Sequence, residues 1–229
     1  MSLKTTLLAR QAIAKQAKGE IAESLKLFDQ AVEAGMDEPR YILSYSVLLI
    51  RDGQFEKARA LLVKIQKSPY LNDDQRKQLF VNYAVCVYRM GEMQKGIDLL
   101  ERQHQKSSSG LIYETLGYLY VEAGDAEKAL AYNTEALDYD DEDPITLDNM
   151  GQTYYRLLGD KAKAKEYFDK AHELKPTQID TLYFLAQYDI EAGDKAAAKE
   201  KLEKALEGRF SPLNYANKEK IEALVATLG

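Results

Sequence analysis

The side chains that most often carry acid–base, nucleophilic or metal chemistry are sparse in this sequence. Its two histidines, His104 and His172, lie far apart along the chain, and Cys86 is its one cysteine. No Cys/His spacing matches a zinc site, no glycine-rich phosphate loop is present, and no serine lies in a nucleophile-elbow motif. The residue types and their spacing therefore predict no catalytic site, no cofactor and no metal centre.

The densest group of carboxylates runs from Asp138 to Asp143, directly before Pro144. Carboxylates on a loop are suitable ligands for a hard cation such as Ca²⁺. This run lacks the glycine and the distal glutamate of an EF-hand loop. We interpret it as a solvated loop between helices, which places negative charge near the N-terminus of the next helix, where the helix dipole favours it.

Charge and composition limit the classes of partner. Charged residues make up 30% of the 229 residues and the net charge is −6, so the chain lacks the basic excess that nucleic-acid binding requires. The balance is uneven, because residues 1–110 carry 17 Lys+Arg against 13 Asp+Glu, whereas residues 111–229 carry 14 against 24. We interpret this difference as ordinary variation in the composition of solvated helix faces. The alternative is that the two ends of the chain differ in electrostatic character.

The sequence indicates a reducing compartment and no membrane segment. A single cysteine, Cys86, cannot form an internal disulfide. The N-terminus lacks the shape of a secretory signal, since the apolar run 7–9 is interrupted at once by Arg10. No stretch approaches the roughly 18 apolar residues of a membrane-spanning helix. We therefore expect a cytoplasmic protein.

A repeat with a period of about 34 residues organises the chain. The repeat is clearest in the segments 116–129 and 150–164, in which Gly117 and Gly151 occupy equivalent positions of the repeat. Six turn glycines mark successive units: Gly19, Gly53, Gly91, Gly124, Gly159 and Gly193. The interval between neighbouring glycines stays close to the period, except that the interval from Gly53 to Gly91 is distinctly longer and that from Gly124 to Gly159 is slightly longer.

Small residues recur at fixed places in these units. Those in the first helix of each unit are Ala12, Ser46, Ala84, Gly117, Gly151 and Ala186. Those in the second helix are Ser24, Ala58, Gly96, Ala129, Ala164 and Ala198. Helices that cross closely need small side chains at the crossing. The period and this pattern together resemble the tetratricopeptide repeat (TPR) family, over residues 3–212.

The resemblance implies an all-α fold, a right-handed α-solenoid of six TPR helix pairs plus a C-terminal capping helix. The array would span residues 1–212, with units near 3–37, 38–75, 76–110, 111–143, 144–176 and 177–212, and the cap would lie in 213–229. Four apolar residues at helical spacing predict that this cap covers the end of the array, with a dimerisation helix as the alternative: Ile221, Leu224, Val225 and Leu228.

The sequence departs from the regular pattern at three places, of which the first two carry structural predictions. The long interval from Gly53 to Gly91 predicts that the extra residues 71–74 form a loop before the third unit. The slightly long interval from Gly124 to Gly159 predicts one extra residue in the turn near residues 157–159. Asn133 stands in the second helix where the other units have a large apolar residue.

In the TPR family the first helices of successive units line a concave groove, and many members bind peptides there. The resemblance implies such a groove here. Helix geometry then places a groove-facing stripe beside the buried one, and in the fifth unit that stripe is Ile145, Asp148, Asn149, Gln152, Tyr155 and Arg156. The candidate binding residues over all units are Asn82, Arg89, Tyr118, Asn149, Gln152, Tyr155, Tyr183, Phe184 and Gln187.

These residue types predict a protein or peptide ligand. Tyrosines provide large, stiff, amphipathic contact area, and amides can pair with a peptide backbone. Negative charge along the same face favours a neutral or basic ligand: Glu114, Glu122, Asp148 and Glu191. We therefore expect a protein-interaction scaffold without enzyme activity, nucleic-acid partner or membrane partner. The alternative is a self-associating module, a homodimer through the cap helix or the ends of the array.

Overall fold

The computed structural model describes residues 3–229, so the first two residues of the predicted 1–212 array lie outside the described part. Within residues 3–229 the secondary structure consists of helices, and no strand is present. This agrees with the predicted all-α class. The chain forms two compact units that divide between Gln103 and His104, and each is described separately below.

The N-terminal unit contains three pairs of helices. Its helices are α1 (Leu3–Ala17), α2 (Ile21–Glu33), α3 (Pro39–Arg51), α4 (Phe55–Ile65), α5 (Asp73–Arg89) and α6 (Met93–His104). Helix α1 packs on α2, and α3 packs on both α4 and α5. Buried apolar side chains such as Phe28, Leu49 and Leu62 form the interior of this unit.

The C-terminal unit has the same alternation and ends in one additional helix. Its helices are α7 (Gly110–Ala123), α8 (Ala126–Tyr139), α9 (Pro144–Gln152), α10 (Lys161–Leu174), α11 (Ile179–Glu191), α12 (Lys195–Leu206) and α13 (Lys218–Ala226). A π-helical segment, Thr153–Leu158, continues α9.

A glycine followed by an aspartate makes the turn inside each pair of this unit. Gly124 ends α7 in the left-handed conformation, with φ of 74°, which a residue with a Cβ atom adopts only at a cost. The next residue, Asp125, accepts a hydrogen bond from the N–H of Lys128 and thereby caps α8. Asp160 and Asp194 cap α10 and α12 in the same way. The repeated turn glycines thus have a structural cause.

Close helix crossing explains the small residues. A Cβ atom on Gly151 would lie 2.5 Å from the ring of Phe168 on α10. A Cβ on Gly96 would lie 3.1 Å from the carbonyl oxygen of Ala84. The contact at Gly151 leaves no room for a Cβ atom, and that at Gly96 is tight enough to favour a small residue, as the sequence predicted.

The extra residues before the third pair are partly helical, which corrects the prediction of a loop over 71–74. Helix α5 begins at Asp73, and Asn72 caps it by accepting from the N–H of Gln75 while the Gln75 side chain accepts from the N–H of Asn72. This reciprocal capping box satisfies two N–H groups that the first turn would leave unpaired. The extra length therefore extends α5.

The extra residue of the fifth pair also lies inside a helix and not in the turn near 157–159. The π-helical segment Thr153–Leu158 absorbs it, because a π turn holds one more residue than an α turn. The turn that follows is of the same kind as in the fourth pair, with Gly159 left-handed and Asp160 capping α10.

The predicted stripe of the last helix packs inside the chain. Ile221 of α13 is fully buried, in a core that includes Leu182 and Leu202. Leu224 and Val225 pack against the same core and are partly exposed. Helix α13 therefore covers the apolar end of the sixth pair.

Candidate functional site

The amides predicted to face a ligand are largely buried. Asn82, Asn149 and Gln152 are 5%, 2% and 1% exposed. The Asn82 side chain donates to the hydroxyl of Ser46 on α3 at 3.0 Å, and that of Asn149 donates to the carbonyl of Glu114 on α7 at 2.9 Å. Each bond joins the first helix of one pair to the first helix of the preceding pair, so these two amides are covered by the preceding pair.

The other predicted residues divide between the interior and the surface. Tyr118 and Phe184 are buried, whereas Tyr155, Tyr183 and Gln187 are half-buried. Arg89 is exposed and lies in the N-terminal unit, with its guanidinium 5.7 Å from the centre of the Phe55 ring.

Two predicted tyrosines, Tyr155 and Tyr183, contact the predicted Phe184. Its ring centre lies 5.2 Å from that of Tyr155 and 5.4 Å from that of Tyr183. Phe184 also stacks on Phe168 at 4.9 Å, so the surface tyrosines rest on a buried pair of rings. Aromatic pairs at such distances contribute beyond their buried area.

Tyr215, which the sequence did not suggest, completes this group. Its ring stacks on Phe184 at 5.2 Å between centres, with 21° between the planes. The guanidinium carbon of Arg156 lies 3.9 Å from the centre of the Tyr215 ring, and the ammonium of Lys220 lies 3.4 Å from it. Cations at this distance are attracted to the electron-rich face of an aromatic ring.

The backbone beside Tyr215 is held by a buried carboxylate. Asp180 accepts hydrogen bonds from the N–H of Tyr215 at 3.0 Å, the N–H of Ala216 at 2.9 Å and the Asn214 side chain at 3.1 Å. Burial raises the pKa of Asp180, and these three donors oppose that shift by stabilising the carboxylate. We call the surroundings of Tyr215 the Tyr215 site and define it as Arg156, Asp180, Tyr183, Phe184 and Lys220.

A second buried carboxylate lies beside the first. Asp148 of α9 accepts from the hydroxyl of Thr181 at 2.6 Å and from the Gln152 side chain at 2.7 Å. Burial raises the pKa of Asp148, and the charge of Asp180 raises it further. The two acids therefore share a desolvated region, in which the donors to Asp148 come from α9 and α11 and the donors to Asp180 come from the segment before α13.

The π-helical segment presents Arg156 to this region. Its guanidinium donates to Glu122 of α7 at 2.6 Å and to the Gln152 side chain at 2.9 Å. A π turn rotates the residues that follow it relative to a regular α-helix, and such turns are frequent at functional sites. The extra residue of the fifth pair thus positions the arginine that reaches both Glu122 and Tyr215.

The histidines lie elsewhere in the C-terminal unit. The Nε2 atom of His104 lies 3.1 Å from the Glu135 carboxylate, to which the Tyr113 hydroxyl donates at 2.8 Å. His172 is half-buried, and burial and then the charges of Lys204 and Lys201 lower its pKa. Over residues 3–229, no cluster of three or more His, Cys, Asp or Glu side chains has an arrangement suited to a metal ion.

No helix within residues 3–229 is both long enough and apolar enough to cross a membrane.

Solved structures with the same fold were found by comparison of coordinates. A tetratricopeptide repeat protein from Parabacteroides merdae ATCC 43184 aligns with a TM-score of 0.81 at 14% identity, over 99% of this chain and 84% of that one. PilW, described as a widely conserved type IV pilus biogenesis factor, aligns with a TM-score of 0.68 at 14% identity, over 98% and 100%. MamA aligns with a TM-score of 0.58 at 19% identity, over 77% and 94%. At these identities the similarity shows the fold.

Comparison of sequences identifies the family. No curated protein matches the chain significantly. Family models described as tetratricopeptide repeat match residues 111–143 and 146–178 and residues 10–72. Together these stretches cover more than half of the 229 residues. The chain therefore belongs to the tetratricopeptide repeat family.

Proposed function

We propose that the protein is a protein–protein interaction scaffold that binds a peptide or a partner helix on the surface around the Tyr215 site. One observation carries this proposal: the surface already holds a short length of polypeptide, residues 214–216, by backbone N–H groups on Asp180 and a ring on Phe184. A partner peptide can offer backbone N–H groups and an aromatic side chain to the same residues. TPR domains in general mediate contacts between proteins, which agrees with this role.

The accessible part of the surface consists of half-exposed side chains next to that segment. Tyr155, Tyr183 and Gln187 retain solvent exposure, and the two tyrosines rest on the buried ring of Phe184. A stiff aromatic side chain loses little conformational entropy when a partner covers it. We therefore assign partner contact to these three residues and to Arg156.

The buried members of the predicted set have a supporting role in this proposal. Asn149 holds α9 against α7 through a hydrogen bond with the Glu114 carbonyl, and Gln152 fixes the Asp148 side chain within α9. Groups that fix the rotamers and helices beneath a surface preorganise it for binding, which reduces the entropy lost on association. Asn82 does the same between α3 and α5 of the N-terminal unit.

Charge favours a neutral or basic partner. Residues 111–229 carry 14 Lys+Arg against 24 Asp+Glu, and such an excess attracts positive ligands over several ångströms. Some carboxylates near the site are neutralised locally, since Glu122 pairs with Arg156 and Glu191 pairs with Lys161. The attraction would come from the exposed acids of the loop before α9, among them Asp141 and Glu142.

The alternative is self-association, a homodimer through the cap helix or the ends of the array, and the packing of α13 speaks against its cap-helix form. The apolar side of α13 is directed into the sixth pair through Ile221, with Leu224 and Val225 packed beside it. A homodimer through this helix would need to remove these side chains from the core. We therefore place the peptide-binding role first.

Affinity capture from a lysate of the source organism tests the proposed function. The bait is the full chain, and the test variant combines Tyr183→Ala with Gln187→Ala. Tyr70→Ala is the matched control, because Tyr70 is 83% exposed and lies in the N-terminal unit. We expect a protein that the native chain and the control retain and the double variant loses. Equal retention by all three chains would assign binding to another surface.

A further inference from the structure

The segment between α12 and α13 occupies the Tyr215 site in the manner of a bound peptide. Its backbone donates two successive N–H groups, those of Tyr215 and Ala216, to one carboxylate. Its ring lies against Phe184 with Arg156 close to the ring centre. Resting on the proposed function, we propose that residues 211–216 are an intramolecular ligand, and that the partner carries a segment bent in the same way, with an aromatic side chain which replaces Tyr215.

The chemistry of the site specifies this kind of partner. Asp180 is a buried acceptor that requires N–H donors, and the bend at residues 215–216 directs two successive N–H groups to it. Two cations, Arg156 and Lys220, lie 3.9 Å and 3.4 Å from the Tyr215 ring centre. Cations near a ring face favour an aromatic side chain over an aliphatic one of similar size. An aromatic residue in a bent peptide segment therefore matches each group of the Tyr215 site.

The segment forms its own turn, so its shape does not depend on α12 or α13. The Asn214 side chain accepts from the N–H of Ser211 at 2.7 Å, and the N–H of Asn214 donates to the Ser211 carbonyl at 2.9 Å. The N–H of Leu213 donates to the Ser211 hydroxyl at 3.2 Å. A free peptide of the same sequence can form this turn and is a suitable probe of the site.

The site is only partly closed, which makes local replacement feasible. Tyr215, Tyr183 and Lys220 are each half-buried, and Ala216 alone within 211–216 is fully buried. A segment tethered by a few residues acts at an effective concentration of about 1 mM. A free peptide must compete with that concentration, so its apparent affinity for the native chain is its intrinsic affinity multiplied by the fraction of sites that are free.

Fluorescence anisotropy with a labelled peptide tests the inference. The probe is Ser-Pro-Leu-Asn-Tyr-Ala-Asn-Lys, the sequence of residues 211–218, and its control carries Ala in place of Tyr. The full-length chains are the native protein, Tyr215→Ala, and Tyr70→Ala as the matched loss of an exposed ring. We expect the tyrosine peptide to bind Tyr215→Ala about tenfold or more tightly than the other two chains, since the variant removes the competing ring. The alanine peptide should show no such preference.

Equal affinity of the tyrosine peptide for all three chains, or equal binding of both peptides to Tyr215→Ala, would overturn the inference. Hydrogen exchange of the native chain gives an independent measure that needs no substitution. We expect the amide of Tyr215 to exchange at least about tenfold faster than that of Leu202 in α12, because a displaceable segment opens locally. Exchange of both amides at one common rate would show that the segment opens only when the helices unfold, and would contradict the inference.

The two experiments separate this inference from the proposed function. If Tyr183→Ala with Gln187→Ala abolishes capture of a partner while the peptide shows no preference for Tyr215→Ala, the binding surface stands and the intramolecular ligand is rejected. If the peptide prefers Tyr215→Ala and capture does not depend on Tyr183 and Gln187, the segment is displaceable and the partner binds elsewhere.

Discussion

Asp180 accepts the backbone N–H of Ala216 at 2.9 Å, and this bond joins the first helix of the sixth pair to the segment that leads into α13. Asp180 comes directly after the first residue of α11, whereas Ala216 precedes the N-cap of α13 by one residue. The carboxylate thus fixes the start of the last helix and also places Tyr215 on the surface proposed to bind a partner.

Loss of the Asp180 carboxylate should destabilise this end of the chain. In Asp180→Ala the N–H groups of Tyr215 and Ala216 lose their acceptor, and we expect the free energy of unfolding at pH 7.5 to fall by about 1–3 kcal/mol. Asp180→Asn keeps one acceptor oxygen and should lose less. Chemical denaturation followed by circular dichroism measures both.

Asp169→Ala is the control for that measurement. Asp169 forms an exposed pair with Lys165 one turn earlier on the same helix, and such pairs contribute little to stability. We expect its removal to change the free energy of unfolding by less than about 0.5 kcal/mol. A loss for Asp180→Ala no larger than that of the control would mean that Asp180 does not hold the segment.

Stability should fall as the pH rises through the raised pKa values of the buried acids. Burial raises the pKa of Asp148 and of Asp180 above the ordinary value of 3.8, and burial raises that of Glu114 to about 7. Between the ordinary and the raised values the folded chain binds more protons than the unfolded chain. The free energy of unfolding therefore decreases with rising pH across this window.

The variant Asp148→Asn should reduce that slope. Its amide resembles the neutral acid, so the variant should gain stability relative to the native chain on going from pH 6 to pH 8. Glu114 and Asp180 still titrate, hence a smaller slope should remain. Denaturation series at the two pH values measure it, with Asp169→Asn as the control that leaves the slope unchanged. If Asp148→Asn has the same slope as the native chain, Asp148 does not contribute to the pH dependence of the free energy of unfolding.

Gly151→Ala should destabilise the fifth pair. The new Cβ would lie 2.5 Å from the Phe168 ring, and overpacking of this kind costs about 1–3 kcal/mol. This cost exceeds the gain of about 0.5–1 kcal/mol that replacement of a helical glycine by alanine otherwise brings. Thermal unfolding followed by circular dichroism measures the net change.

Gly110→Ala is the matched control for Gly151→Ala. Gly110 is also helical, and its new Cβ would meet only the Glu114 side chain, at 3.7 Å. We expect no loss of stability from this change. If both alanine variants behaved alike, close approach between α9 and α10 would not be the reason for the glycine at position 151.

Much of the fold follows from local sequence. The turn glycines are required by left-handed backbone at positions such as Gly124, and the aspartate after each glycine in the C-terminal unit caps the next helix. The turn glycine and the capping aspartate are adjacent in the sequence, so both can be recognised in each repeat of the C-terminal unit. The extra residues of the third and fifth pairs were harder to assign. A longer helix, a π turn and a longer loop all increase the interval between turn glycines by the same amount.

The site was predictable only in part, because its contacts join distant parts of the chain. Helical spacing selected Tyr155, Tyr183 and Phe184, which do lie together. It did not show that Gln152 is covered by neighbouring helices. It also gave no indication of Tyr215, since the segment before α13 has no periodic pattern and reaches back to Asp180 in the first turn of α11.

Site-specific photocrosslinking tests the central claim most directly. A photoreactive amino acid at Gln187, which is half-exposed beside Tyr183, would report any protein bound at this surface in the source organism. The same group at Tyr70 serves as the control. The account predicts a discrete crosslinked protein for position 187 that is absent for position 70. No crosslinked protein at position 187, or the same products at both positions, would contradict it.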